Sequence, residues 1–139
     1  MFFWLFLGLL ALACLLAVLV GGRPEKLVAC LFVAAWMASI AVERPFSVRY
    51  ATLETATMAI DLALLFALLW IALTSRRYWP MALVSLQAII LIVHLVKLLD
   101  PLLIRAAYER MTITWPMLQV LILIGGTLVH ARTRRTARS

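Results

Sequence analysis

Residues 54–99 read ETATMAIDLALLFALLWIALTSRRYWPMALVSLQAIILIVHLVKLL, two apolar runs joined by the basic turn SRRYW. Each run is about as long as a membrane-crossing helix, which takes roughly 20 mostly apolar residues. A connection this short folds the runs back on each other as an antiparallel hairpin, with its turn near Arg77. Asp61 lies 16 residues before Arg77 and His94 lies 17 after it. The carboxylate and the imidazole are therefore expected at nearly the same depth in the bilayer.

Helical spacing puts Glu54, Thr57 and Asp61 on one face of the first run. On the second run, Gln87 and His94 share a face, with Lys97 displaced to one side. An unpaired carboxylate at the centre of a spanning helix costs about 2.5 to 3.5 kcal/mol on insertion scales, so Asp61 should be neutralised, hydrogen-bonded or turned to a wet cleft. The two polar stripes are accordingly expected to meet. Three roles compete for them: a clasp between helices, a contact with another subunit, or a site for a proton, an ion or a small molecule. A clasp is the commoner use of isolated polar groups in spanning helices. A proton path would need relays on both sides, and the inner halves of these runs, LLFALLWIAL and MALV, contain none.

The rest of the chain is of the same kind. Of its 139 residues, 66% are hydrophobic and 14% charged, with a mean hydropathy of +1.08, which argues against a water-soluble globule. Five apolar runs are expected as spans, at about 2–20, 27–42, 51–74, 80–99 and 115–130. Gly21, Gly22 and Pro24 close the first, ERPF stops the second, and Pro80 suits a helix start because its missing amide would have no partner there. After Asp100, PLLIRAAYERM is too short to span and alternates apolar and charged sides, as an interfacial helix would. The expected fold is an all-α integral membrane protein: a compact bundle of five transmembrane helices with a short interfacial helix between the fourth and fifth. It forms one domain, 1–131, followed by a basic cytoplasmic tail, 132–139.

Charge sets the orientation. With the N-terminus outside, the cytoplasmic side receives Arg23, Lys26, Arg76, Arg77, Arg132, Arg134, Arg135 and Arg138, eight of the 13 basic residues. The opposite side takes Arg44, Arg49, Lys97, Arg105 and Arg110 with Glu43, Glu54, Asp100 and Glu109. This is the asymmetry that short-loop membrane proteins show, and it points to a bacterial-type inner membrane with a cytoplasmic C-terminus. Arg76, Arg77, Arg132, Arg134, Arg135 and Arg138 are read as contacts to anionic phospholipid headgroups. Four tail arginines without interleaved aromatics do not specify nucleic acid, which is not expected as a partner.

Other features are weaker. Ala34 with Ala38, and Ala35 with Ser39, are spaced for close helix approach, and the Gly125–Gly126 pair offers the same in span five. Cys14 and Cys30 have neither CxxC spacing nor an extramembrane setting for a disulfide. The first run lacks a basic leader and is read as a retained span; LALAC only loosely resembles a lipoprotein site, with Ala11 where leucine is expected. No metal is expected, because Asp61 and His94 supply two ligands where zinc takes three or four. No cofactor is expected either: the only histidines, His94 and His130, fall near opposite membrane sides and cannot sandwich one haem. Trp79 and Trp115 suit interface anchoring, whereas Trp36 sits in the middle of its span and suits packing.

With no nucleophile triad, phosphate loop or flavin motif, the chain is not expected to be an enzyme. The leading expectation is a small accessory or structural subunit of a larger membrane complex, respiratory or photosynthetic. Its partners would be other integral membrane subunits and anionic phospholipids, with a quinone or pigment held by the host complex. The alternative is a small proton-, ion- or quinone-coupled transporter using an Asp61/His94 site.

Overall fold

A computed structural model describes the backbone of residues 1–43, 50–100 and 105–139, and the side chains of residues 1–42, 55–100, 110 and 114–139. The described residues form five helices and no strand: α1 (Phe2–Val20), α2 (Arg23–Glu43), α3 (Tyr50–Thr74), α4 (Trp79–Leu99) and α5 (Arg105–Thr136). All five are long and apolar enough to cross a membrane, which suggests a multi-pass membrane protein.

Each helix packs on its chain neighbour, and α5 closes the ring against α1 while also touching α2. The pattern that drives this packing is plain on α4, whose buried residues are Pro80, Leu83, Gln87, Ile90 and His94. Alternating steps of three and four keep one seam facing its neighbours, as in a coiled coil. The same steps bury Leu10, Ala13 and Ala17 on α1, where the alanines let another backbone come close. Leu68, Leu83, Val120 and Leu123 meet them in the centre.

The outward faces are the opposite of a soluble protein's. Leu15, Phe66, Trp70, Leu73, Ile92 and Leu121 are exposed. Only 17% to 28% of each spanning window is buried, so most of the apolar surface has no protein over it. In water that surface would drive association; in a bilayer it needs no further partner.

Three boundaries differ from the sequence reading. The second helix starts at Arg23 rather than 27, because Pro24 takes a first-turn position in α2 instead of closing the first span. A separate interfacial helix does not form, because the chain from Arg105 runs unbroken into the fifth span as one helix of 32 residues. Pro116 lies inside that helix. It removes a single backbone donor, which a spanning helix tolerates when the freed carbonyl finds another partner. The tail is likewise helical through Thr136 rather than a separate segment.

Candidate functional site

Polar side chains gather in two layers of the bundle. The first joins α3, α4 and α5. His94 Nε2 donates to Asp61 Oδ2 at 3.0 Å, and the two side chains are 7% and 20% exposed. Gln87, one seam position before Ile90, donates through Nε2 to Asp61 Oδ1 and to the Asp61 carbonyl, both at 3.1 Å. Gln119 on α5 then donates through Nε2 to Gln87 Oε1 at 2.8 Å. Gln87 and Gln119 are buried.

The result is a hydrogen-bonded chain, Gln119 to Gln87 to Asp61 from His94, in which one carboxylate takes donors at both oxygens. That arrangement removes the cost of burying the acid, because each lone-pair direction in use meets an N–H. Thr57 lies one turn before Asp61 and Lys97 one turn beyond His94, both half-buried. Glu54 falls outside the residues whose side chains are described. Beside His94 is a cavity of about 30 Å³ lined by Thr55, Met58, His94 and Leu98, enough for one water.

The second layer, at the opposite end of the hairpin, was not read from the sequence as a cluster. Glu25 is fully buried. It pairs with Arg77 Nη1, while Arg77 Nη2 lies 2.8 Å from His130 Nδ1. An arginine can only donate, so His130 Nδ1 accepts and the imidazole is neutral in this contact. Burial lowers the Arg77 pKa from its ordinary value, although a guanidinium stays charged.

Local sequence explains how Glu25 comes to sit there. In Gly22-Arg23-Pro24-Glu25 the proline takes an early helical position, where no amide is needed. Glu25 is then three residues past the cap and reaches back to the Gly22 N–H, with Oε2 at 2.9 Å. Gly22 is also a tight position: a Cβ there would lie 3.1 Å from Glu25 Oε2 and 3.2 Å from both Arg77 Nη2 and His130 Nε2, so these side-chain ends would have to give by a few tenths of an ångström. A residue without a side chain thus lets three polar groups converge.

Arg77, read from the sequence as a headgroup contact, also has protein partners in Glu25 and His130. Its Nη1 and Nη2 engage Glu25 and His130, and its remaining N–H donors are not used in those contacts. Arg76, Arg132, Arg134, Arg135 and Arg138 are exposed. The helix-packing residues divide in the same way. A Cβ on Gly126 would come within 2.7 Å of the Trp79 ring, so Gly126 is a real contact, but nothing lies within 4 Å of the same position on Gly125. Ala34 is exposed and Ala38 half-buried. Trp79 rests on Gly126 rather than only marking the membrane edge, and Trp36 packs against the core as expected. Cys14 and Cys30 are free thiols.

Between the two polar layers the helices present Leu68 and Ile71 on α3, Leu83 on α4, and Val120 and Leu123 on α5, all buried; the buried Thr127 lies nearer the second layer and its hydroxyl donates to the Leu123 carbonyl of its own helix. This apolar layer separates them along every helix of the α3–α4–α5 group. Among the described residues, no group of three or more His, Cys, Asp or Glu could hold a metal ion. Gln119 was the other residue missed; its depth in span five, level with Gln87, was the signal available. Comparison with protein-family models, with curated proteins and with solved structures finds no match.

Proposed function

We propose that this chain is a small, non-catalytic structural or accessory subunit of a larger membrane assembly, of the respiratory or photosynthetic kind. The observation that carries the reading is the chain of hydrogen bonds from Gln119 through Gln87 to Asp61 and His94. Its polar atoms are matched to one another across three helices, above an apolar layer that interrupts any polar path. Such a network fixes the register of helices, and a register lock suits a part that positions other subunits.

The chain is proposed to sit in a bacterial-type inner membrane with its N-terminus outside and its C-terminus in the cytoplasm. Contacts of Arg77 with Glu25 and His130 bring the first loop, the hairpin turn and the end of α5 to one side. That side holds eight of the 13 basic residues, as a cytoplasmic face does. The turns of α5 before Thr114, where its apolar window begins, would lie in the headgroup region. Partners are other integral membrane subunits, presented with the exposed Ala34 face, and anionic phospholipids; a quinone or pigment would belong to the host.

One observation favours the second reading, a proton-, ion- or quinone-coupled transporter. The cavity beside His94 gives a water access to the imidazole, and hence to a pair able to exchange a proton. Purification from the native membrane in mild detergent, followed by mass spectrometry, tests the leading proposal. A stoichiometric membrane companion is expected; a lone chain that carries flux in proteoliposomes, abolished by Asp61→Asn at unchanged abundance, would replace it with the transporter.

A further inference from the structure

A groove of about 550 Å³ runs between the α3–α4 turn and the last third of α5. It is within the 300 to 1,000 Å³ range of small-ligand sites. Its two ends differ in chemistry. Ile122, Gly125 and Val129 form an apolar floor along α5, and Arg76 and Arg77 stand at the other end beside Tyr78. Tyr78 is 93% exposed, which leaves this end open. The Trp79 ring makes the side wall where it rests on Gly126, and its buried indole N–H finds no acceptor among the described residues. Gly125 keeps the floor low, since the position of its missing Cβ is open space.

Charge identifies what fits. This end of the bundle collects eight arginines and lysines against one acid, Glu25, among the described residues, and Glu25 is already engaged by Arg77. Arg77 uses Nη1 and Nη2 in those contacts but keeps further N–H donors, and Arg76 is exposed at its side. A small anion would match the arginines and leave the floor bare; a neutral lipid would match only the floor. We infer that the groove binds one anionic phospholipid, its phosphate at Arg76 and Arg77 and one acyl chain lying over Gly125 between Ile122 and Val129. This goes beyond general headgroup attraction, because a saturable pocket rather than a diffuse field sets the stoichiometry.

The full-length protein in detergent, delipidated and titrated separately with phosphatidylglycerol, phosphatidylcholine and inorganic phosphate, tests the site. Native mass spectrometry should count one phosphatidylglycerol per chain, and thermal unfolding should shift upward to saturation with that lipid alone. Gly125→Leu starts from a Cβ position in open space and fills the floor, and Arg76→Gln alters only an exposed side chain. Without lipid, Arg76→Gln should leave unfolding unchanged and Gly125→Leu should leave it unchanged or raise it slightly through helix propensity; each should weaken phosphatidylglycerol by about tenfold or more, Arg76→Gln through one lost charge-assisted contact and Gly125→Leu by occupying the acyl-chain floor. Equal binding of phosphatidylcholine, an equal shift with inorganic phosphate, or wild-type lipid affinity in both variants would overturn the assignment.

Discussion

Removing Glu25, the buried acid of the second polar layer and the inner one in the proposed orientation, is a sharp perturbation of stability. Glu25→Ala deletes two things at once: the partner of Arg77 and the acceptor of the Gly22 N–H. Breaking a buried pair by removing one partner costs about 3 to 5 kcal/mol. The Arg77 side chain is 27% exposed, so water relieves part of its loss and the lower end applies. Losing the cap adds about 0.5 to 2 kcal/mol, which places Glu25→Ala near 4 kcal/mol of destabilisation. Glu25→Gln keeps an acceptor for Gly22 and should lose about 3 kcal/mol. The pairwise part emerges from a cycle of Glu25→Gln, Arg77→Gln and the double variant, followed by tryptophan fluorescence during equilibrium unfolding in mixed micelles. A coupling of about 1.5 to 3 kcal/mol is expected for a hydrogen bond between charged groups. If the single effects simply add, within about 0.5 kcal/mol, the two side chains do not meet and the inner layer is wrong.

The outer layer and the glycines give further outcomes. Gln119→Leu leaves the buried Gln87 Oε1 without its donor and should destabilise by about 1 to 3 kcal/mol in the same unfolding assay. Gln87→Leu with Gln119→Leu should cost less than the sum of the two. Gly126→Ala drives a methyl into the Trp79 ring and should cost about 1 to 3 kcal/mol, with a change in Trp79 emission. Gly125→Ala, facing open space, should be neutral or up to about 1 kcal/mol stabilising. A reporter fused after Ser139 should be active only in a cytoplasmic configuration; activity only outside would invert the orientation.

What the sequence showed and what it hid follow from one distinction. Features set by distance along a helix were legible: the five apolar runs, and the common depth of Asp61 and His94, which needs only a tight turn at Arg77. Gln87 was placed on the right face for the same reason. Features set by which helix closes over which were not. Gln119 looks like one polar residue in an apolar run until α5 is known to pack on α4. Arg77 looks like every other cation beside a span, because the burial of Glu25 depends on the start of α2, the α3–α4 turn and the His130 turn of α5 coming together. Gly125 and Gly126 are indistinguishable in sequence and separate only when Trp79 settles on one of them. The charged stretch PLLIRAAYERM and the apolar run after Trp115 look like two segments in sequence, so a separate interfacial helix was expected where one long helix stands.

The contact between His94 Nε2 and Asp61 ties the α3–α4 hairpin together at the centre of the first polar layer. Solid-state NMR of the protein in lipid bilayers, with isotope-labelled histidine and aspartate, reads it directly. A dipolar cross-peak between His94 Nε2 and the Asp61 carboxyl carbon, lost in Asp61→Ala, is the expected result. Absence of that cross-peak, with the Asp61 carboxyl in contact with lipid chains instead, would contradict both the clasp and the transporter site.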